Sequence, residues 1–546
     1  MAVKTYGIFL AYPPTVSLRA EGLGRYLAAF VKGATHRGDI NLVIATPSWF
    51  RQPLQELFDE HGIPLAAIKF VGPETQPLLL TLHQWVGRAT RRVVKRPRLH
   101  WASRLLHAMR AHARWLSYRI VGSRDPISFA VVILYSAFLL LLASPVILVA
   151  FLIHLARRFP NAMQKLVNRG IGRLQIRQRL AQPVRRLLPK GGVQRFAFTR
   201  MLEREVEVMV EKANKAGAVA AWYSPTSLWP GFNRLRAPKL ACFPDLVFLQ
   251  FPVAFGAEGL AATSRMDGIR ETVEGGQLFV TYSEHVKRSV MMRALGVPSH
   301  QVEVVLHGPS SLNSRVDVQG LGDNDAAARS LCLELARQAL SNATGPSRGQ
   351  RFDEVRFDFL FYASQFRPSK NVTTLLRAYE FLLRRRYIGH KLILTGHGDS
   401  PDIKRFIRDH KLERDVLFLH GLSEAQLAAL YKLADLAVNP TLSEGGMPFT
   451  FTEAVSVGTP VVMSDIEVTR EVIKDPDLRA ATLFDPYDWR SVADKIEWAL
   501  ENKNSLYAMQ RKFYDNVLSK RTWEDVVAEH IAILDRIVAH QKVVSA

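Results

Sequence analysis

Apolar, strand-like runs alternate with helical patterns in this chain, and the alternation starts twice. It begins with "YGIFLAYPP" and "INLVIATP", resumes at "KLACFPDLVFL" and "QLFVTYS", and restarts at "DFLFYAS", "HKLILTG" and "TPVVMS". Strands that alternate with helices form parallel, doubly wound sheets, and ligands bind beyond the carboxyl ends of their strands. The sequence therefore predicts an α/β protein with two doubly wound parallel-sheet (Rossmann-like) domains that face a cleft.

The 546 residues suffice for two or three domains, and breaks in the pattern set their limits. We expect a first domain over residues 1–310, interrupted by a basic and apolar insertion over 76–213. Residues 311–350 are rich in Ser, Asn, Gly and Asp and indicate a linker with one helix near 325–340. The second domain covers residues 351–522.

The net charge of +22 lies in one segment. Residues 84–202 contain 23 Lys/Arg and one acid, Asp125, so the rest of the chain is neutral. A basic block of this kind serves nucleic acid or an anionic membrane surface. The two cysteines, Cys242 and Cys332, favour a reducing compartment, and the N-terminus lacks the apolar run of a signal peptide. We therefore expect a chain that stays in the cytoplasm.

Residues 127–156, inside the basic segment, contain no Lys, Arg, Asp or Glu. About 20 apolar residues suffice to cross a bilayer, so this run is long for the alternative, a buried core helix. Both flanks are rich in Arg, which places both ends on the cytoplasmic side, and Pro145 interrupts the run. We predict a re-entrant or in-plane hairpin, with residues 84–202 among anionic lipid headgroups and no nucleic-acid partner.

The position of the insertion supports a hairpin over a single crossing. If the strands on both sides of it belong to one sheet, a single crossing would place two halves of that sheet on opposite sides of the membrane. The predicted location is therefore the cytoplasmic face of the inner (plasma) membrane, with monotopic or re-entrant attachment.

The stretch "SEGGMPFTFTEAVSVGTPVVMSD" joins a strand to a helix that we expect to begin near Met447. Gly445 and Gly446 let a ligand approach the backbone, and the N-terminus of the helix suits a diphosphate. Glu444 and Glu453 cannot help to bind phosphate, so sugar hydroxyls are their natural partners. The alternative is a capped helix whose acids lie near its positive end and bind no ligand.

Two further loops follow predicted strands. In "FYASQFRPSKNVTTLL" a strand ends at Ala363, and Arg367 and Lys370 follow in the loop that enters a helix. Two cations at that position could neutralise a leaving diphosphate, although a solvated loop is the simpler interpretation. In "SLRAEGLGRYLAAFVKG", Gly22 and Gly24 open the first helix of the first domain.

In this order, these motifs resemble the large retaining glycosyltransferase family of GT-B fold, family 4 (glycosyl transferases group 1), over about residues 1–70 and 215–546. "GLGRYLAAF" looks like its N-terminal glycine loop, "RPSKN" like its donor-phosphate loop and "EGGMP…TEAVSVGTPVV" like its paired-glutamate signature. "VTYSEHVKRSVMMRALGVPSHQVEVVLHG" is similar to a strand–helix–strand pattern of the family. "RTWEDVVAEHIAIL" resembles a helix that crosses back to the first domain, here expected over 523–546.

The resemblance implies a nucleotide-sugar donor and a role for each motif. Lys370 and Arg367 hold the diphosphate, Glu444 contacts the donor sugar and Glu453 contacts the ribose. Transfer retains the anomeric configuration, and the departing phosphate oxygen deprotonates the acceptor hydroxyl. No metal or other cofactor is expected, since cations and helix dipoles replace it. The remaining donor-binding positions are the backbone of Gly445, Gly446, Met447 and Pro448, and the opposing Gly22 and Gly24.

The sequence also departs from the family pattern. The family's His-Asp pair appears here as Pro244-Asp245, which leaves Asp245 as the acceptor-side candidate. Gln365 stands where many members have Arg, and His307 takes the position of a usual Asn. Eight residues rather than seven separate the two glutamates, so the glycine turn or the first helical turn must absorb one more residue.

Three functions follow from these features. The first is a transferase that moves a sugar, from a donor such as GDP-mannose, to a lipid-linked glycan acceptor at the membrane. The second, supported by Pro244, is a non-catalytic membrane scaffold of the same fold. The third is a transferase with a soluble acceptor, whose insertion only localises it.

Overall fold

The computed structural model describes residues 3–81 and 192–545, apart from short gaps. Most of the basic segment 84–202 and of the apolar run 127–156 therefore lies outside the described residues, and the hairpin remains a prediction. Between residues 82 and 191, six residues are described: 125, 127, 130, 131, 134 and 135. The gaps elsewhere are 15, 17, 19–21, 218, 246, 252–259, 321, 342–356, 397 and 399.

Seven parallel strands form the sheet of the first domain, in the order β3-β2-β1-β4-β5-β6-β7. The first strand pairs with β2 on one side and with β4 on the other, so strands from both sides of the basic segment share one sheet, as predicted. The strands are β1 Lys4–Phe9, β2 Ile40–Ala45, β3 Ile68–Val71, β4 Ala221–Ser224, β5 Lys239–Phe243, β6 Leu278–Thr281 and β7 Val302–Val304.

Helices cover this sheet, and a π-helical segment, Val286–Ala294, follows β6. The predicted strand "KLACFPDLVFL" is shorter than expected: β5 ends at Phe243 because Pro244 has no N–H to donate to the ladder, and a helical turn follows. The helices are α1 Gly22–His36, α2 Arg51–Glu60, α3 Gly192–Lys215, α4 Val247–Gln250 and α5 Leu260–Glu274.

The second domain contains six parallel strands in the order β10-β9-β8-β11-β12-β13. Two hydrophobic cores, one on each face, bury these strands, which explains why they are nearly continuous apolar runs in the sequence. The strands are β8 Phe359–Tyr362, β9 Lys391–Leu394, β10 Val416–Phe418, β11 Leu436–Asn439, β12 Val461–Ser464 and β13 Leu483–Phe484.

The linker helix is α6 Asn324–Ser341, close to the predicted position. The helix of the paired-glutamate stretch begins at Phe449, two residues later than predicted, because Pro448 occupies its N-cap. The helices that follow α6 are α7 Val372–Arg385, α8 Pro401–Asp409, α9 Glu424–Leu433, α10 Phe449–Ser456, α11 Glu467–Val472, α12 Pro476–Thr482, α13 Trp489–Glu501 and α14 Lys503–Phe513.

The last helix, α15 Trp523–Ser545, packs on the first domain. Its buried residues Val527 and Leu534 belong to the same hydrophobic core as α1 and the first sheet. At its start, Trp523 Nε1 donates to the Pro309 carbonyl at 3.0 Å, and the Trp523 backbone lies so close to Gly33 that a Cβ there would be 3.0 Å from it. The chain therefore ends on the domain in which it began.

No helix within the described parts of the chain combines the length and the apolar character needed to cross a bilayer.

Candidate active site

Loops at the carboxyl ends of the two sheets meet across the cleft. Ser283, after β6, donates its hydroxyl to the Gly445 carbonyl, after β11, at 2.8 Å. The Ser443 hydroxyl next to it donates to Gln250 Oε1 on α4. The paired-glutamate loop therefore lies directly against the first domain.

Lys370 and Glu444 form an ion pair at the centre of this edge, with 2.5 Å between Lys370 Nζ and Glu444 Oε1. Lys370 ends a short turn after β8, and the residue after it, Asn371, has a left-handed backbone. In the same turn, the Ser369 carbonyl accepts the Leu442 N–H at 2.7 Å, which fastens this loop to the loop of Glu444. Both side chains of the pair are about one-fifth exposed, at 19% and 20%, so a ligand in the cleft can reach them.

Asp245 shares the electrostatic environment of this pair from the opposite domain. A Cβ on Gly445 would lie 3.4 Å from the Cβ of Asp245, so Asp245 lies beside the loop of Glu444. Desolvation by the surrounding protein raises the pKa of Asp245, the Glu444 carboxylate raises it further, and Lys370 and Arg367 oppose the shift. The structure therefore brings together these four charged residues, each of which the sequence predicts as a site residue.

The two glycines of the loop lie against the first domain. A Cβ on Gly445 would lie 1.6 Å from the Pro244 carbonyl oxygen, and one on Gly446 would lie 3.0 Å from the His307 ring. The sequence predicts room for a ligand here; in the structure, the backbone and a ring of the first domain fill that room. Met447 is buried in the core of the second domain.

Glu453 is buried, with 1% of its side chain exposed, and its partners include groups from outside the second sheet. Arg25 on α1 forms an ion pair with its carboxylate, and the Ser310 hydroxyl donates to Oε1 at 3.1 Å. Burial opposes the charge of Arg25, but Glu453 outweighs burial and raises the pKa of Arg25. Arg25 also lies over the Phe449 ring, 5.8 Å from its centroid. Sequence reasoning missed Arg25, although it directly follows Gly24.

The glycines that open α1 have different surroundings. A Cβ on Gly24 would lie 2.1 Å from the Leu18 carbonyl oxygen, so close chain packing explains this glycine. A Cβ on Gly22 would have no described atom within 4 Å, so the surface at this glycine is open.

His307 fills the position of the family's usual Asn with an aromatic contact. Its ring centroid lies 4.7 Å from that of Phe449 and 5.7 Å from that of Tyr282. Nδ1 lies 2.9 Å from the Gly308 carbonyl oxygen, to which it donates. Burial lowers the pKa of His307, so the imidazole is neutral near pH 7 beside the start of α10.

Two further contacts made by carboxylates join the domains, and the sequence predicts neither. Glu424, at the start of α9, lies 2.9 Å from His61 Nε2 and 2.6 Å from Arg315 Nη2. At the other end, the Glu471 carboxylate accepts the backbone N–H groups of Glu284 and His285, at 2.9 Å and 2.5 Å.

A possible group of metal ligands lies elsewhere. Among the described residues, Asp358, His390 and Asp435 have ligand atoms within 4.8 Å of one another. They precede β8, β9 and β11, at the edge of the sheet opposite the cleft. Lys503 Nζ already lies 2.5 Å from Asp435 Oδ1, so the ammonium of a lysine pairs with one carboxylate of this group.

Residues 348–516 match the family of Glycosyl transferases group 1. Relatives include MMP alpha-(1->4)-mannosyltransferase of Mycolicibacterium hassiacum, 28% identical over 35% of this chain and 45% of the relative. Phosphatidyl-myo-inositol mannosyltransferase of Mycobacterium tuberculosis is 28% identical over 26% of this chain and 38% of its own length. O-antigen chain mannosyltransferase B of Escherichia coli is 30% identical over 28% of this chain and 39% of its own length. The chain thus spans less than half the length of these relatives.

Solved structures match the chain almost end to end. Sucrose-phosphate synthase from Thermosynechococcus elongatus superposes with a TM-score of 0.52 at 13% identity, covering 98% of this chain and 100% of that one. Anabaena Alr3699/HepE in complex with UDP and glucose gives a TM-score of 0.51 at 12% identity, and the match covers 98% of this chain and 100% of that one. Residues 348–516 therefore belong to the glycosyl transferases group 1 family, and the two facing domains form a GT-B fold.

Proposed function

We propose that this protein is a retaining glycosyltransferase that moves a sugar from a nucleotide-sugar donor to a lipid-linked glycan acceptor at the cytoplasmic face of the membrane. The observation that carries the proposal is the Lys370–Glu444 pair, held at the carboxyl ends of β8 and β11 opposite Asp245. It lies within the residues that match the glycosyltransferase family. The names of the relatives make mannose, from GDP-mannose, the first donor to test.

In this proposal two cationic side chains stabilise the diphosphate leaving group. Lys370 and the exposed Arg367 bind the diphosphate and neutralise the charge that develops when its bond to the anomeric carbon breaks. The N-terminus of α10 adds positive potential on the same side. Glu444, released from Lys370, accepts hydrogen bonds from hydroxyls of the donor sugar.

The acceptor hydroxyl attacks from the face that the diphosphate leaves, so the configuration is retained. Its oxygen forms the new bond to the anomeric carbon, and its proton passes to the departing phosphate oxygen. The protein's task is then to position the reactants and stabilise charge, and the proposal includes no metal or other cofactor.

Attachment to the membrane rests on the insertion. Ile127, Val131 and Leu134 share one helical face, and they are 78%, 60% and 69% exposed. An exposed apolar face bracketed by Arg-rich sequence is typical of a helix among anionic lipids. Because the insertion belongs to the first domain, it would hold that domain at the surface where a lipid-linked acceptor lies.

Donor hydrolysis by the full-length protein tests the proposal directly. With GDP-mannose, UDP-glucose and other common sugar nucleotides in turn, we expect slow hydrolysis of one donor that Lys370→Ala lowers at least about 100-fold, because the leaving group loses its cation. Lys404→Ala, on α8, is the matched control and should leave the rate unchanged.

Two further assays distinguish the alternatives. Binding of no sugar nucleotide, measured by thermal shift, would favour the non-catalytic scaffold, since a ligand of the native state raises its stability by mass action. Transfer to a water-soluble acceptor at the same rate with and without anionic vesicles would favour the soluble-acceptor enzyme.

A further inference from the structure

A cavity of about 210 Å³ lies beside Glu444 and is walled by both domains. The second domain contributes the loop of Glu444 and the start of α11, and the first domain contributes α4 and the segment after β6. Lys370 and Arg367 do not line it. The cavity therefore reaches Glu444, the proposed contact of the donor sugar, and is not lined by the two cations that would hold the diphosphate.

We propose that this cavity binds an uncharged sugar unit of the acceptor, the unit that receives the transferred sugar, and that it excludes a phosphorylated unit. This inference rests on the proposed function and adds the chemical class of the acceptor to it.

Hydrogen-bonding side chains cross the cavity wall from one domain to the other. Ser443 Oγ donates to Gln250 Oε1, and Gln250 Nε2 lies 3.2 Å from His285 Nε2. These groups can exchange partners with sugar hydroxyls, which both donate and accept. A small number of placed polar groups among apolar ones is typical of a site that fixes the orientation of a ligand.

Aromatic and aliphatic groups supply the rest of the wall. Phe251 faces the cavity from the first domain, and Tyr487 and Ile466 face it from the second. Tyr487 is 71% exposed, so its ring is open to a ligand. The C–H faces of a hexose match such surfaces, whereas a phosphate gains nothing from them.

The charges around the cavity oppose a phosphate. Two of its lining residues, Glu444 and Glu467, are acidic, and none of the described residues that line it is Lys or Arg. The start of α11 lines the cavity, but this helix has only six residues and its first residue is the acid Glu467. On the side of the first domain, the N–H groups of Glu284 and His285 donate to the Glu471 carboxylate. A phosphate here would lie beside the Glu444 and Glu467 carboxylates with no lining Lys or Arg among the described residues, and like charges repel each other.

Saturation-transfer NMR and calorimetry on the full-length protein test the inference without catalysis. The probes are the methyl α-glycosides of mannose, glucose, galactose and N-acetylglucosamine, each compared with its 6-phosphate in the presence of GDP or UDP. We expect at least one neutral glycoside to bind about ten times more tightly than its phosphate. Tighter binding of the phosphate, or binding of none of the neutral glycosides, would overturn the inference.

Two substitutions locate the binding. Gln250→Leu keeps the size of the side chain and removes its hydrogen bonds, so the affinity for the neutral glycoside should fall about fivefold or more. Glu467→Lys, at an exposed position, should raise the affinity for the phosphate by about the same factor. Gln338→Leu and Glu501→Lys, on α6 and α13, are the matched controls. Equal effects of a test variant and its control would place the ligand elsewhere.

The inference and the proposed function can fail separately. Glycoside binding that depends on Gln250, without donor hydrolysis, would support the sugar site and contradict the proposed glycosyltransferase activity. Donor hydrolysis that depends on Lys370, together with preferred binding of phosphorylated acceptors, would support the glycosyltransferase activity and contradict the inference of an uncharged acceptor unit.

Discussion

Arg25 and Glu453 lie 428 residues apart in the sequence and form an ion pair across the domain boundary. The carboxylate is buried and the Arg25 side chain is 27% exposed, so solvent reaches the pair only through Arg25. The Ser310 hydroxyl, in the segment between the two sheets, donates to the same carboxylate. One buried acid therefore links the first helix of the chain, the connection between the domains and α10.

Replacing Arg25 by Met should destabilise the protein, because the Glu453 carboxylate would remain buried without the cation that pairs with it. We expect a loss of about 2 kcal/mol in the free energy of unfolding, less than for a fully buried pair because Arg25 is partly exposed. Urea denaturation followed by circular dichroism measures it. Arg200→Met removes an exposed pair with Glu203 and should change stability by less than about 0.5 kcal/mol. Equal effects of the two variants would contradict this account.

Gly445→Ala tests how closely the domains must approach. Its Cβ would lie 1.6 Å from the Pro244 carbonyl oxygen, so the loop or the domains must move. Displacements of about 1 Å can lower rates about 100-fold, and we expect donor hydrolysis to fall by that order. Gly389→Ala, whose new Cβ would have no described atom within 4 Å, is the matched control. A Gly445→Ala variant with the wild-type rate would show that this contact is unimportant.

The contact of His61 with Glu424 should depend on pH. The hydrogen bond to Glu424 raises the pKa of His61 above its ordinary value of 6.5. Burial would raise the pKa of Glu424, but His61 and Arg315 outweigh burial and lower it from 4.5 to about 2. The stabilisation by His61 is therefore complete below pH 6.5, and it is lost as the pH rises through the higher pKa of His61 in the folded protein. The stabilisation by Glu424 is present above pH 4.5, and it is lost as the pH falls toward 2.

Comparison of the wild type with His61→Gln at about pH 5.5 and about pH 8.5 measures this contribution. The difference in the free energy of unfolding should be about 1 kcal/mol at the lower pH and close to zero at the higher. His36→Gln removes a half-exposed histidine that lies 3.2 Å from Glu524, and it serves as the control. A difference of the same size at both pH values would show that the charge of His61 does not matter.

Leu534→Ala tests whether α15 is part of the first domain's core. Leu534 is 2% exposed, and loss of a buried Leu side chain should cost about 3 kcal/mol. Leu331→Ala, at a position that is 40% exposed, should cost less than about 0.5 kcal/mol. Thermal and urea unfolding of the two variants give the comparison, and a small loss for Leu534→Ala would mean that the helix is dispensable.

The order of residues along the chain is enough to establish the two α/β domains and the loops that carry the charged residues. Buried parallel strands are continuous apolar runs of limited length, and the loops after them in the sequence must lie at the carboxyl edge of the sheet. Lys370, Arg367, Glu444 and Asp245 can be identified in this way, because each follows a strand closely.

Which residues those loops contact across the cleft depends on how one domain packs on the other. Sequence periodicity describes one element at a time and carries no information about which surface of the other domain it meets. The sequence alone thus predicts room for a ligand at Gly445, whereas the Pro244 carbonyl fills that room. The ribose contact of Glu453, which the family resemblance implies, stays a prediction, and only the structure shows that this carboxylate pairs with Arg25. These contacts depend on the relative position of two folded sheets, which long-range packing sets.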